Sequence, residues 1–338
     1  MKAIWYEELG PSSVLKFGEK PRPEPGHGEV LVRIIRSSVN PSATKQRGNW
    51  GGDGEMPAPF VIPHNDGSGI IEEVGNGVDE GRVGERIWVY EATLEDRNKG
   101  TCAEYCCVPE RFAPRLPDNA SFETGACLGV PAMTAHRALF ADGSIEGKTV
   151  LVTGGAGGVG HMAVQLAKWG GARVLATVSS SEQAKVAADC GAEATIDYKK
   201  EDVADRVRDL TNGGRLDRVV EVNFAANAQT TAKVLKPYGT VATYASGDDP
   251  NLTPKLPFYP MLLNGTQIQM VFVYLMPRTS HDQAIGDINM ALSQGALVAN
   301  ISKHYEFSQA DVAKAHDDLD AGRFIGKAVI DISAELQQ

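Results

Sequence analysis

The chain has 338 residues, enough for about two domains at roughly 100–200 residues each. With 42 % hydrophobic and 22 % charged residues it can bury a sizeable core, which excludes disorder as the dominant state. Thirty-three basic against 43 acidic side chains leave a net charge of −10. That disfavours sequence-independent nucleic-acid binding, which needs a positive face. No apolar run approaches the roughly 18 residues of a membrane span; the longest tight one is Met270–Met276.

In chain order, Met1–Glu8 reads as a strand and lacks the apolar stretch and small-residue cleavage site of a signal peptide. Strand-like runs follow at Lys2–Trp5, Glu29–Arg36, Gly69–Val74 and Arg86–Tyr90, with Pro and Gly punctuation between them. Such short spacing predicts an irregular, mostly antiparallel β domain. Gly48–Pro63, rich in Gly and Pro, predicts a long surface loop of the kind that often carries function. Thr101–Pro109 reads as a strand with Cys106 and Cys107 on opposite sides, so Cys102, Cys106 and Cys107 read as structural. The five cysteines, with Cys127 and Cys190, are few and unframed, which points to a reduced, cytoplasmic protein.

After about residue 126, strand and helix alternate. Strands are expected at Thr149–Val152, Arg173–Thr177, Thr195–Asp197, Arg218–Val222, Thr240–Ala245 and Gln267–Tyr274. Helices are expected after the glycines near 160, then at Glu182–Asp189, near Asp202–Leu210 and at Ala226–Leu235. This alternation predicts a parallel sheet covered on both faces by right-handed crossovers. The remaining chain predicts helices Asp282–Gln294 and Gln309–Ala321 and a final strand, Lys327–Ile332.

Gly155, Gly157 and Gly160 satisfy the spacing G-x-G-x-x-G between the first of these strands and its helix. That context suits a dinucleotide: one glycine turns tightly, one admits a pyrophosphate and one lets helix pack on strand. The helix amides would face the diphosphate. A site for NAD usually places an acid about 20 residues later, on the ribose hydroxyls. Here the second strand ends in Val178–Ser181 with no carboxylate at its tip, which favours NADPH. Ser180 or Ser181 also suits the cap of the next helix, and both readings hold together.

With these residues in hand, the chain resembles the zinc-independent quinone oxidoreductase (zeta-crystallin-like) branch of the medium-chain dehydrogenases/reductases. The resemblance covers essentially the whole chain. It rests on Ser38–Pro41, Asp66–Gly75, Gly100–Tyr105, Thr134–Leu139, Gly154–Gly160 and Gly326–Val329, in the family's order. It implies an α/β protein in which a GroES-like β domain is joined to a Rossmann domain with a doubly wound parallel sheet. Residues 1–125 and 277–338 would form the first and 126–276 the second, with the cofactor in the cleft between them. Many relatives carry catalytic zinc. The corresponding positions here hold Ser42, Asn65, Asp66 and Val130, too few ligands for such a site, so no metal is expected. His64, next to a ligand position, reads as an ordinary polar residue.

The resemblance also implies site residues. Asn40 is expected to orient the nicotinamide or the acceptor oxygen, or else to form an Asx turn before Pro41. Lys45, Arg47 and Trp50 are candidates for substrate or nicotinamide orientation, with a solvated lysine and a loop anchor as plainer roles for Lys45 and Trp50. Thr134 is expected at the carboxamide, Ala156, Gly157, Gly158 and Val159 at the diphosphate, and Ser179 and Ser180 at the 2′-phosphate. Gln183 stands where relatives have a Lys, which predicts a modest preference for NADPH. Tyr198 is expected at the adenine, and Asn227, Tyr244, Ala245, Ser246, Phe272 and Val273 along the ribose and nicotinamide. Lys327 is expected near the diphosphate or as a plain surface lysine.

These readings make the chain an NADPH-dependent oxidoreductase that passes hydride to a quinone without zinc. The alternative is reduction of an enone, a 2-alkenal or an enoyl thioester. A reading of another class is a non-enzymatic, NADPH-binding crystallin-like or RNA-binding protein. No membrane partner is expected. Gln267–Met276 as an uncharged edge strand predicts a homodimer, with a tetramer as the larger option.

Overall fold

A computed structural model describes residues 1–94 and 97–334, which divide into two compact units. Residues 1–130 with 298–334 form one, and 131–297 form the other.

The first unit is built around Glu29–Ser38, ten residues with seven buried, on both faces. It pairs antiparallel with Asp66–Val74, with Tyr105–Pro109 and with Lys327–Asp331. Arg86–Val89 extends the sheet beyond Asp66–Val74, and Ile301–Glu306 runs parallel to Lys327–Asp331. Both ends of the chain therefore meet in one mostly antiparallel sheet. The strand expected over Thr101–Pro109 is confined to Tyr105–Pro109, and Cys106 and Cys107 are both buried. The strand is covered on both faces, so alternation puts neither thiol in water. Elements not anticipated include the helix Pro41–Arg47, with Pro at its first position, the helix Gly129–Phe140 and the strand Ile301–Glu306. Residues 49–60 form the expected loop.

In the second unit six strands run parallel in the spatial order Gln267–Met270, Leu235–Thr243, Leu216–Glu221, Thr149–Val152, Arg173–Val178, Ala194–Asp197. The sequence order reverses between Thr149–Val152 and Leu216–Glu221. Leu151, Leu175, Ile196, Val219 and Val241 form one core with Val207, Phe224, Ala228 and Met261 from the covering helices. Burial of apolar residues along whole strands suits a parallel sheet covered on both faces.

Two further differences concern the second unit. The last strand stops at Met270, well short of Tyr274. Val271 still donates its amide to Thr243, but the chain then winds a 3-10 turn over Val273–Leu275 before Pro277. The helix Arg278–Ser293 clusters with the second unit, so the contact boundary falls at 297/298 where position 277 was expected.

Candidate functional site

The parallel strands deliver their C-terminal ends to one edge of the second unit's sheet. Ala156, Gly157, Gly158 and Val159 follow the first strand, Ser179 and Ser180 the second, and Tyr198 the third. Asn227 lies in the first turn of the helix after the fourth, Tyr244, Ala245 and Ser246 follow the fifth, and Phe272 and Val273 the sixth. Thr134 lies apart in sequence, buried on the helix Gly129–Phe140.

The glycine turn has two kinds of glycine. A Cβ at Gly155 would lie 2.6 Å from Ala176 Cβ, and one at Gly160 would lie 2.1 Å from the Gly154 carbonyl oxygen. The protein's own packing requires both. At Gly157 a Cβ would meet only ordinary contact, 3.4 Å from Gly154 O, and the residue is exposed. Packing does not explain this glycine; an outside group brought against the backbone does.

At the tip of the second strand, Ser180 caps Ser181–Asp189 by accepting from the Gln183 amide at 3.2 Å. Gln183 Oε1 in turn accepts from the Ser179 amide and hydroxyl at 2.9 and 3.1 Å. The glutamine therefore occupies the hydroxyl expected to meet a 2′-phosphate. Lys185, on the next turn, is engaged with Asp189 at 2.5 Å. Tyr198 is 52 % exposed, enough to offer a ring face. Phe272 is exposed whereas Val273 is buried.

The first unit holds a buried polar chain. Lys327 Nζ donates to Val39 O at 2.8 Å and to Asn40 Oδ1 at 2.6 Å. Asn40 Nδ2 donates to Asp66 Oδ2 at 2.6 Å, and the Val130 amide donates to both Asp66 oxygens at 3.0 Å. The amide of Asn40 thus bridges an ammonium and a carboxyl. Burial pushes the Asp66 carboxyl up to about 6 against the pull of Lys327 and these hydrogen bonds, and burial also lowers Lys327. Lys327 is not a surface lysine, and Asn40 makes no side-chain cap or Asx turn at Pro41.

Beside it, His64 Nε2 lies 2.9 Å from His316 Nε2, and His64 Nδ1 lies 2.9 Å from the Ser37 hydroxyl. Arg47 Nε donates to His316 Nδ1 at 3.3 Å and its Nη1 donates to Gly10 O. Arg47 is buried among these partners. Burial, reinforced by Lys327, lowers His64 to about 3, and burial lowers His316 below its ordinary value. Because Arg47 makes His316 Nδ1 an acceptor, His316 Nε2–H donates to His64 Nε2, and both rings are neutral. Lys45 and Trp50 meet each other, the ammonium 4.4 Å from the ring centroid. The four orientation candidates therefore separate into Asn40 with Lys327, Arg47 with His316, and Lys45 with Trp50.

The positions at which relatives hold zinc do not offer a donor set. Val130 has no ligating side chain. Asn65 Oδ1 accepts from the Thr93 amide and hydroxyl, and Asp66 is committed as described. Among the described residues no group of three or more His, Cys, Asp or Glu is arranged to hold a metal ion. His316 and Glu221 were not singled out from sequence, and Asp66 was named only at a position where relatives hold zinc. A carboxylate closing the apolar run Arg218–Glu221, or opening Asp66–Ile71, was the available signal.

Residues 26–118 match the family described as alcohol dehydrogenase GroES-like domain, and residues 158–288 match that described as zinc-binding dehydrogenase. The chain belongs to the medium-chain dehydrogenase/reductase superfamily. It is 29 % identical over 321 residues to a quinone oxidoreductase of Rattus norvegicus, spanning 94 % of each chain. It is 30 % identical over 336 residues to a 2-methylene-furan-3-one reductase of Solanum lycopersicum, spanning 98 % of this chain and 79 % of that one. A mycobacterial protein solved in complex with NADPH superposes with a TM-score of 0.84 at 28 % identity, covering 98 % of this chain and 99 % of that one.

Proposed function

We propose that this chain passes a hydride from NADPH to a quinone without a metal ion. The observation that carries the reading is the glycine turn at the C-terminal edge of the sheet, with an exposed Gly157 that internal packing does not require. The second strand ends in serines without an acid, which suits the 2′-phosphate and leaves no carboxylate to repel it. When bound, NADPH supplies the hydride; the protein supplies position and hydrogen bonds.

Ala156–Val159 would hold the diphosphate on backbone amides at the start of Gly158–Trp169. Ser179 and Ser180 would meet the 2′-phosphate, Tyr198 the adenine, and Asn227, Tyr244–Ser246, Phe272 and Val273 the remaining ribose and nicotinamide. Thr134 would meet the carboxamide. Asn40, held by Lys327 and Asp66, has a fixed amide for orienting ring or acceptor, with Lys45 and Trp50 as the further candidates there. Ser42, Asn65, Asp66 and Val130 do not fit zinc, so no step runs through one. Such an enzyme needs an acceptor that is already electrophilic. A quinone fits, and the tomato relative supports a conjugated carbonyl as the second reading.

NADPH oxidation against ortho- and para-quinones, 2-alkenals and crotonyl-CoA, with NADH in parallel, tests this. Quinone turnover supports the first reading and enone turnover the second. Binding without turnover would favour the crystallin-like role.

The homodimer belongs to the same proposal. Leu262, Leu263, Met270 and Leu275 are exposed on or beside the edge strand, between 57 % and 85 %, where a second copy would cover them. Five free cysteines support a reducing, cytoplasmic setting. No described helix is long and apolar enough to cross a membrane.

A further inference from the structure

Glu221 closes the strand Leu216–Glu221, beside Thr149–Val152, at the point where the strand order reverses. Its carboxyl is fully buried. Three donors converge on one oxygen, Oε1: the Asn223 amide at 2.6 Å, Asn227 Nδ2 at 2.9 Å and the Thr153 hydroxyl at 3.0 Å. The other oxygen, Oε2, has no partner among the described residues, although water cannot reach it.

A buried polar atom left without a partner costs about 1–3 kcal/mol, and folded proteins satisfy nearly all of them. An exception therefore points to a partner that arrives from outside. The place agrees: open parallel sheets bind ligands beyond the carboxyl ends of the strands, at the reversal point. Thr153, one of the three donors, leads directly into the glycine turn. In a doubly wound sheet the first three strands serve one nucleotide and the last three the other. Ser179 and Ser180 belong to the first half and Glu221 to the second.

We propose that Glu221 Oε2 binds a ribose hydroxyl on the nicotinamide side of the cofactor. This rests on the NADPH reading above. A hydroxyl both donates and accepts, so it satisfies the carboxyl whether or not a proton sits there. Burial raises this carboxyl above the usual range, which favours the acid form. A phosphate oxygen only accepts, so it would fit the acid form alone, and its charge would oppose an ionised Glu221. Because Oε2 is closed to water, the hydroxyl enters with a local shift of the half-buried Val222 and Asn227.

Calorimetric titration of wild type, Glu221→Ala and Glu221→Gln tests the contact. The ligands are NADPH and adenosine 2′,5′-bisphosphate, which lacks the second ribose. Glu221→Ala is expected to weaken NADPH about tenfold and the bisphosphate less than about twofold. Glu221→Gln, which still offers a donor and an acceptor, is expected within about threefold of wild type. Equal losses for both ligands, or an unchanged NADPH affinity in the folded alanine variant, would overturn the assignment. Should the alanine variant not fold, wild type with the 2′- and 3′-deoxy analogues of the nicotinamide ribose gives the answer. Loss of about tenfold with either supports the contact, and no loss with both removes it. Wild type that binds neither NADPH nor the bisphosphate refutes the cofactor reading itself, and this inference falls with it.

Discussion

Replacing Lys327 by methionine removes an ammonium from the buried chain Lys327–Asn40–Asp66 while keeping much of its volume. The variant loses the bonds to Val39 O and Asn40 Oδ1 and leaves Asp66 buried with only neutral donors. Breaking a directly paired buried ion pair costs about 3–5 kcal/mol. Here the charges are separated by the Asn40 amide, and Asp66, already raised to about 6, escapes by taking a proton. The expected loss is therefore smaller, about 2–3 kcal/mol near pH 8. It should shrink by at least about 1 kcal/mol near pH 5, where Asp66 is neutral in both proteins. Asp66→Asn alone strands the lysine, so the double variant should cost about 1–2 kcal/mol less than the sum of the singles. Hydrogen exchange read over Glu29–Ser38 and Lys327–Asp331 reports the opening of this unit without assuming that the whole chain unfolds in one step. A loss independent of pH, with additive single variants, would refute the idea that Asn40 couples these two charges.

The other expectations concern acid stability, cofactor choice, assembly and metal. His64 titrates near 3 when folded against 6.5 ordinarily, so its contribution is present above pH 6.5 and is lost as pH falls towards 3. His64→Gln should flatten the decline of stability in that window by up to about 1.4 kcal/mol per pH unit; parallel urea midpoints for both proteins would contradict this. Gln183→Lys frees Ser179 and adds a charge, so the ratio of NADH to NADPH dissociation constants, modestly above one in wild type, should rise about tenfold. An unchanged ratio would place the 2′-phosphate elsewhere. Met270→Glu, at a position 71 % exposed, should yield monomers by light scattering. Val271 is buried, so a charge there would test folding instead. Purified protein should hold no stoichiometric zinc by elemental analysis, and about one tightly held ion per chain would contradict the reading of Ser42, Asn65, Asp66 and Val130.

The alternation of the second unit was legible because short strands with apolar centres and capped helices leave local signals. Ser180 and Asp202 each cap the helix that follows. The shorter last strand was not legible, since Gln267–Tyr274 is apolar enough to pair throughout; the 3-10 turn before Pro277 ends it. The helix Pro41–Arg47 escaped notice because its polar face gives no clear period, although Pro at a first turn is a helix signal. The glycine turn could be read from spacing, but the difference between Gly157 and its neighbours needed three-dimensional packing. The polar chain of the first unit was illegible for another reason. Lys327 and Asn40 lie 287 residues apart, and His64 and His316 lie 252 apart. Nothing local marks a lysine or a histidine for burial when its partner comes from the other end of the chain.

Metal-free hydride transfer is tested by the initial rate of NADPH oxidation by exhaustively chelated protein with a para-quinone, NADH being run in parallel. Saturable turnover is expected that chelation leaves unchanged and that is faster at low NADPH than at equal NADH. Turnover that vanishes on chelation and returns with zinc would contradict it. So would NADPH binding with no oxidation by quinone, 2-alkenal or crotonyl thioester.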